Sequence, residues 1–316
     1  MAIETRITND PVRLVIRAQQ FRAEIAFGKT NEILGDAGIV PILLKGPHLG
    51  NTIYESPIQR TYCDLDLLVK PEDFSKAATV LAENGFQPLE FATFSPKVQD
   101  DFKHWEYRSP QGVTIELHRW LSGHDRFPID WKGLFARAES FVFGETNALG
   151  LGTEDLLLQL CLHMGTSYFK VIEKKHILDI ALLVKRRSVD WPSFLQRTDR
   201  AGARAIAFYC LKAAQLQHGA SIPAGVLSRL RPGKVRRLYL EKHIDPGRYP
   251  IYRMDGDSIA KVKKRLLLPL MDKPSQWLRF LARIAWGKMR AGKQMISTET
   301  ASREGKQGEE RSGCKG

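Results

Sequence analysis

No apolar run in this 316-residue chain approaches the roughly 18–20 residues that a membrane-spanning helix requires. The opening stretch "MAIETRITNDPVRLVIRAQQF" has no apolar core followed by small residues, so secretion is not expected and the cytoplasm is the expected compartment. Cysteine is sparse. Cys63, Cys161, Cys210 and Cys314 lie far apart without paired spacing, and neither a disulfide framework nor a zinc site is indicated. Internal repeats are absent. The first 220 residues also lack net charge, with 26 Lys+Arg against 26 Asp+Glu. The formal charge of +13 therefore belongs to residues 221–316, which hold 22 Lys+Arg and 9 Asp+Glu, and any acidic partner concerns that third of the chain.

What is present is the balance of a soluble globular protein, 43% hydrophobic and 26% charged, long enough for one large domain or two ordinary ones. Residues 11–37 read as a helix with apolar positions at Val12, Val15, Ile16, Phe21, Ile25, Ile33 and Leu34. "IVPILLKG" reads as a short buried strand closed by Gly46, and a short helix through Leu49 and Tyr54 leads to "CDLDLLV". Pro71, Glu72 and Asp73 are expected to open the next helix, and Gly85 to end it. "FQPLEFATF" is a weak strand candidate. "FKHWEYRS" and "GVTIELHRW" read as two strands joined by a tight turn at "SPQG". From Thr153 the texture becomes helical, through "TEDLLLQLCLHMG", "KVIEKKHILDIALLVKRR" and "ARAIAFYCLKAAQL". The expected organisation is a mixed α/β unit over 1–150, a helical unit over 151–245, a basic segment over 246–295 and a disordered tail over 296–316.

The chemistry concentrates in "RTYCDLDLLVK". In a strand Asp64, Asp66 and Leu68 share one face, while Leu65, Leu67 and Val69 form an apolar face. Two carboxylates about 6 Å apart repel by roughly 3 kcal/mol at an effective dielectric of about 20. Water offsets that on an exposed face, and a divalent cation would offset it in a site. If "VTIELHRW" is the return strand of the hairpin, Thr114, Glu116 and His118 share a face that could oppose the aspartates. Three carboxylates would then suit two metal ions bridging a phosphoryl transfer. "LLKG" runs a strand into Lys45 and Gly46 at a helix start, where backbone N–H groups attract phosphate.

"LLKGPHLGNTIYESPIQRTYCDLDLLV" resembles the core of the uncharacterised nucleotidyltransferases of the DNA polymerase β-like superfamily: Lys-Gly after a strand, a short helix, an arginine, then Asp-x-Asp. The acid-x-His pair of relatives is matched by Glu116 and His118, and their helical part by Glu154 to Val184. The resemblance covers about residues 38–185. It implies an α+β fold, a small mixed β-sheet with flanking helices followed by a helical domain. It also implies Mg²⁺ or Mn²⁺ on Asp64, Asp66 and Glu116, and transfer of NMP from an NTP, most simply ATP, to an unidentified acceptor. Lys45, Gly46 and Arg60 would hold the nucleotide, and His118 would orient substrate. Lys-Gly stands where the superfamily has Gly-Ser, so the hold on the triphosphate would differ in detail.

Each residue also has a plainer reading. Asp-x-Asp occurs on exposed strand faces, an acid such as Glu116 is common on an exposed hairpin face, and His118 could simply cap its strand. Lys45 suits a solvated strand end, and Arg60 could pair with Asp64. His163 and Asp179 are expected to form a core pair between successive helices. His48, His104 and His124 show no metal-ligand spacing. In "DKPSQWLRFLARIAWGKMRAGK" one helical face is apolar and the opposite face carries arginines. That suits packing on the body or an anionic membrane surface, the inner membrane face for a cytoplasmic protein. Nucleic acid ranks last as a partner. A non-catalytic nucleotide- or partner-binding module of the same fold is the alternative to an enzyme.

Overall fold

The structure, a computed structural model, describes residues 11–89, 104–121, 127–167, 169, 173–253, 256–266 and 268–278. Residues up to Asp272 make one compact unit, and 273–278 are the described part of a second. The first unit is built on a mixed seven-stranded sheet of order β3-β4-β5-β2-β1-β7-β6. The strands are β1 (Ile42–Leu43), β2 (Asp64–Leu68), β3 (Gln87–Pro88), β4 (His104–Arg108), β5 (Thr114–His118), β6 (Glu139–Phe143) and β7 (Thr146–Gly150). β2 pairs parallel with β5 and β1 pairs parallel with β7; the other neighbours are antiparallel.

The expected apolar face of β2 is a core face. Leu65, Leu67 and Val69 are fully buried with Ile115 and Leu117 of β5, beneath α1 (Pro11–Asp36) and α3 (Phe74–Glu83). Each such side chain contributes about 1.5–3 kcal/mol. α1 forms where helical spacing places it but buries a different stripe. Ala23, Ala26, Phe27, Ile33 and Leu34 face inward, whereas Val12, Val15, Phe21 and Ile25 are exposed. The small Ala23 and Ala26 side chains suit close packing on the core. α3 starts at Phe74, three residues after Pro71, and Gly85 follows it at φ 82°. A short α2 (Lys45–Thr52) links β1 to β2.

Past α4 (Trp131–Ala136) and the β6–β7 hairpin, the chain becomes helical: α5 (Thr153–Thr166), α6 (Lys174–Arg186), α7 (Trp191–Ala201) and α8 (Arg204–His218). α5 is buried on nearly every side, from Asp155 to Leu162, as the central helix of this part must be. Its N-cap is Gly152, and the acid Asp155 pairs with Arg137 and Arg197 at 2.8 and 3.0 Å. α9 (Ala224–Leu230), α10 (Lys234–Glu241) and α11 (Ile259–Leu266) follow. The weak strand expected over "FQPLEFATF" is limited to β3 among the described residues. His124, Cys314, most of the basic amphipathic segment from residue 279 and the tail over 296–316 lie outside the described residues. Among the described residues no helix is long and apolar enough to cross a membrane.

His48 of α2 is buried, its ring 4.9 Å from Phe141. Burial, helped by Arg187, holds its pKa down to about 3. The unfolded chain therefore binds a proton between pH 6.5 and 3 that the folded chain does not, and the stability His48 contributes above pH 6.5 falls as pH drops towards 3. Urea unfolding across that range is expected to show a shallower acid decline for His48→Gln than for the wild type. Parallel declines would exclude His48 as the source.

Candidate active site

β2 is the central strand, and its polar face meets that of β5 in register: Asp64 pairs with Thr114, Asp66 with Glu116 and Leu68 with His118. β4 continues the rows, with Glu106 beside Glu116 and His104 beside His118. Asp66, Glu116 and Glu106 thus stand side by side on three adjacent strands about 4.8 Å apart. Like charges directly opposite are destabilising unless cations intervene.

Two side chains meet Asp66. Lys45 Nζ is 2.6 Å from Asp66 Oδ1, and His118 Nε2 is 2.7 Å from the same oxygen. His118 Nε2 also lies 3.0 Å from Glu116 Oε2. Burial would raise the Asp66 pKa, but Lys45 and His118 outweigh it and hold the carboxyl well below its usual range. Burial would likewise raise Glu116, and the hydrogen bond from His118 brings it below its usual value. Burial opposes the charge on Lys45, and Asp66, Glu116 and Asp64 together raise it. Asp64 is the exception. Burial first, then the charges of Asp66 and Glu116, push it up to about 6. An oxygen-donor set with one carboxylate held in that state is what a hard divalent cation would relieve, so these residues fit Mg²⁺ or Mn²⁺.

The backbone positions Lys45 by an unusual turn. Lys45 takes φ 49° where β1 passes into α2, a conformation that few non-glycine residues hold. At Gly46 a Cβ would lie 2.6 Å from Cβ of Tyr62, so only glycine fits beneath that ring. The groups open on a cleft of about 640 Å³. Asp64, Asp66, His104 and Glu116 line it from the sheet, Lys45 from the start of α2, and His163, Ser167, Glu173, Lys175 and His176 from the helical part.

Arg60 also lines the cleft, but its guanidinium is held from behind. Nε and Nη2 donate to Asp179 at 2.8 and 2.9 Å, and Nη1 donates to the Thr61 carbonyl at 2.8 Å. Tyr54 Oη donates to the same carboxylate at 2.7 Å. The arginine's ion pair is thus with Asp179 rather than Asp64. Asp179 in turn ties α6 to the segment before β2 through Arg60 and Tyr54, in place of the core pair expected with His163, whose ring packs against His176 at 4.9 Å. His104, which sequence spacing set aside, belongs to the site. Its Nε2 is 3.8 Å from Glu116 Oε2 and 3.3 Å from Glu106 Oε1.

Residues 11–218 match the family described as uncharacterised nucleotidyltransferases, a span wider than the motif core. No curated protein matches the chain. Among solved structures, the lincomycin-bound lincosamide antibiotic adenylyltransferase LnuA is 14% identical with a TM-score of 0.34, covering 50% of this chain and 94% of its own. The antibiotic-resistance factor ANT(2'')-Ia is 12% identical with a TM-score of 0.39, covering 62% and 96%. An antigenic nucleotidyltransferase-like protein from Paracoccidioides brasiliensis is 15% identical with a TM-score of 0.39, covering 70% and 93%. With the match extending over 11–218, the chain belongs to the family of uncharacterised nucleotidyltransferases.

Proposed function

We propose that this protein transfers a nucleoside monophosphate from an NTP, most simply ATP, to an acceptor hydroxyl or phosphate in the cleft between sheet and helices. The observation that carries this reading is the register that sets Asp66 beside Glu116, with Asp64 on the same face, at the floor of that cleft. Asp64, Asp66 and Glu116 would hold Mg²⁺ or Mn²⁺. Bound there, a divalent cation supplies charge neutralisation for the phosphates and the leaving group. Lys45 and the backbone around Gly46 at the start of α2 would meet the phosphates. Glu116 would accept the proton of the attacking hydroxyl, and His118, 3.0 Å away, would orient Glu116. The acceptor oxygen bonds to the α-phosphorus, the bond from that phosphorus to its bridging oxygen breaks, and pyrophosphate leaves.

With its guanidinium held by Asp179, Arg60 would act here chiefly by fixing the cleft wall, with its charge felt at the triphosphate. Residues 1–150 would supply the catalytic face, and residues 151–245 the wall that receives the acceptor. The basic segment over 246–295 would meet an anionic membrane surface from the cytoplasmic side, a reading motivated by the charge of the C-terminal third.

The test is incubation with α-labelled NTP, Mg²⁺ and a small-molecule extract as the acceptor source. Labelled product that disappears with EDTA supports the reading. Nucleotide binding without any product would favour the non-catalytic module instead.

A further inference from the structure

The nucleotidyl-transfer reading leaves His104 without a task, yet His104, Glu116 and His118 offer one ligand atom each, all within 4.8 Å of one another. The paired strands β4 and β5 build this group, since His104 is the register partner of His118. The rings lie 4.9 Å apart, centroid to centroid. Strand-borne ligands are held more firmly than loop-borne ones.

The spacing is that of a small metal ion. A tetrahedral cation with bonds of about 2.0–2.1 Å has ligand atoms about 3.3 Å apart. Two edges of the group, 3.0 Å from His118 Nε2 to Glu116 Oε2 and 3.8 Å from His104 Nε2 to Glu116 Oε2, bracket that value. Glu106 Oε1, 3.3 Å from His104 Nε2, stands beside them as a further oxygen donor. The donor types differ from those of Asp64 and Asp66. Imidazole nitrogen suits Zn²⁺, Co²⁺ and related ions, whereas Mg²⁺ takes oxygen and retains water. Access is open from the cleft, because His104 and Glu116 line it with side chains 23% and 18% exposed, while His118 is fixed at 1%.

We propose that His104, Glu116 and His118 form a binding site for a borderline divalent cation of the zinc class. It lies beside the carboxylates of β2 and has Glu116 as its bridge to them. It takes the His118 Nε2 that stands 2.7 Å from Asp66 and 3.0 Å from Glu116, so cation binding replaces those two contacts. The site does not depend on nucleotidyl transfer and would stand if the chain transferred nothing.

The experiment uses the full chain, freed of metal with a chelator and titrated with Co²⁺ without nucleotide. The expected result is one Co²⁺ per chain with the strong visible absorption of four-coordinate cobalt, bleached by stoichiometric Zn²⁺ and untouched by excess Mg²⁺. His104→Gln is expected to weaken Co²⁺ binding at least about tenfold. His104→Cys keeps a ligand and is expected to add a thiolate-to-cobalt charge-transfer band absent from the wild type, a signal that no structural role of His104 would create. Only the pale spectrum of six-coordinate Co²⁺, a band unchanged in His104→Gln, or no new band in folded His104→Cys would each overturn the assignment.

Discussion

Replacing Asp66 with asparagine is expected to lower nucleotidyl transfer by on the order of 10³-fold while leaving the chain folded. The size follows from what meets at this one carboxylate. Lys45 and His118 both contact Oδ1, at 2.6 and 2.7 Å, and Glu116 stands opposite in register. Asparagine keeps the shape but neutralises the proposed cation ligand, and leaves the Lys45 ammonium nearest a neutral amide. Transfer is thus lost through charge rather than packing. The check is the labelled-NTP assay on wild type and variant, beside circular dichroism to confirm the fold. Equal product from both would remove Asp66 from the proposed cation site. Asp64, without the Lys45 and His118 contacts, should show a comparable loss of transfer with less effect on stability.

The second large effect is on stability. Asp179→Ala is expected to destabilise the protein by about 3–5 kcal/mol, because it leaves the buried Arg60 guanidinium without its partner. Asp179 is fully buried and Arg60 is 4% exposed, so water cannot readily take the carboxylate's place. Burial works against the Arg60 charge, and the Asp179 hydrogen bonds outweigh it. Tyr54→Phe removes one donor from the same carboxylate and should cost about 1.5–3 kcal/mol. Urea unfolding of the two variants measures both. A loss for Asp179→Ala no larger than for Tyr54→Phe would mean that the ion pair does not hold α6 to the segment before β2. Since Arg60 lines the cleft, the alanine variant should also bind nucleotide more weakly.

Much of this was legible because strand alternation is a strict rule. "CDLDLLV" and "VTIELH" could be divided into a polar and an apolar face without knowing their partners, and both apolar faces are core. Register was harder to read. The four-residue turn expected at "SPQG" forms, with Gly112 N donating to the Ser109 carbonyl at 2.8 Å. Ser109 N also donates to the Val113 carbonyl, however, so Pro110, Gln111 and Gly112 make a three-residue hairpin loop with Gly112 at φ 75°. A slip of one residue would have turned His104 to the opposite face of the sheet. That is why His104 could not be placed on this face from spacing, whereas Glu116 and His118 could be placed together on one face of β5.

The pairing of Arg60 with Asp179 was not legible for a different reason. It joins residues 119 positions apart through the packing of the helical part, and no local period encodes such a contact. The β6–β7 hairpin was missed as well, although "SFVFGETNALG" carries a two-residue turn at Gly144-Glu145. α1 shows the converse. Its existence was clear from spacing, but it has apolar residues on two stripes, and only packing against the sheet selects the one that is buried.

The most direct test of the proposed site is the location of Mn²⁺ in crystals grown with a non-hydrolysable NTP, read from anomalous scattering. The expected result is a peak within coordination distance of Asp64 and Asp66, with the triphosphate running towards Lys45 and Gly46. Nucleotide bound with its metal away from both aspartates would contradict it.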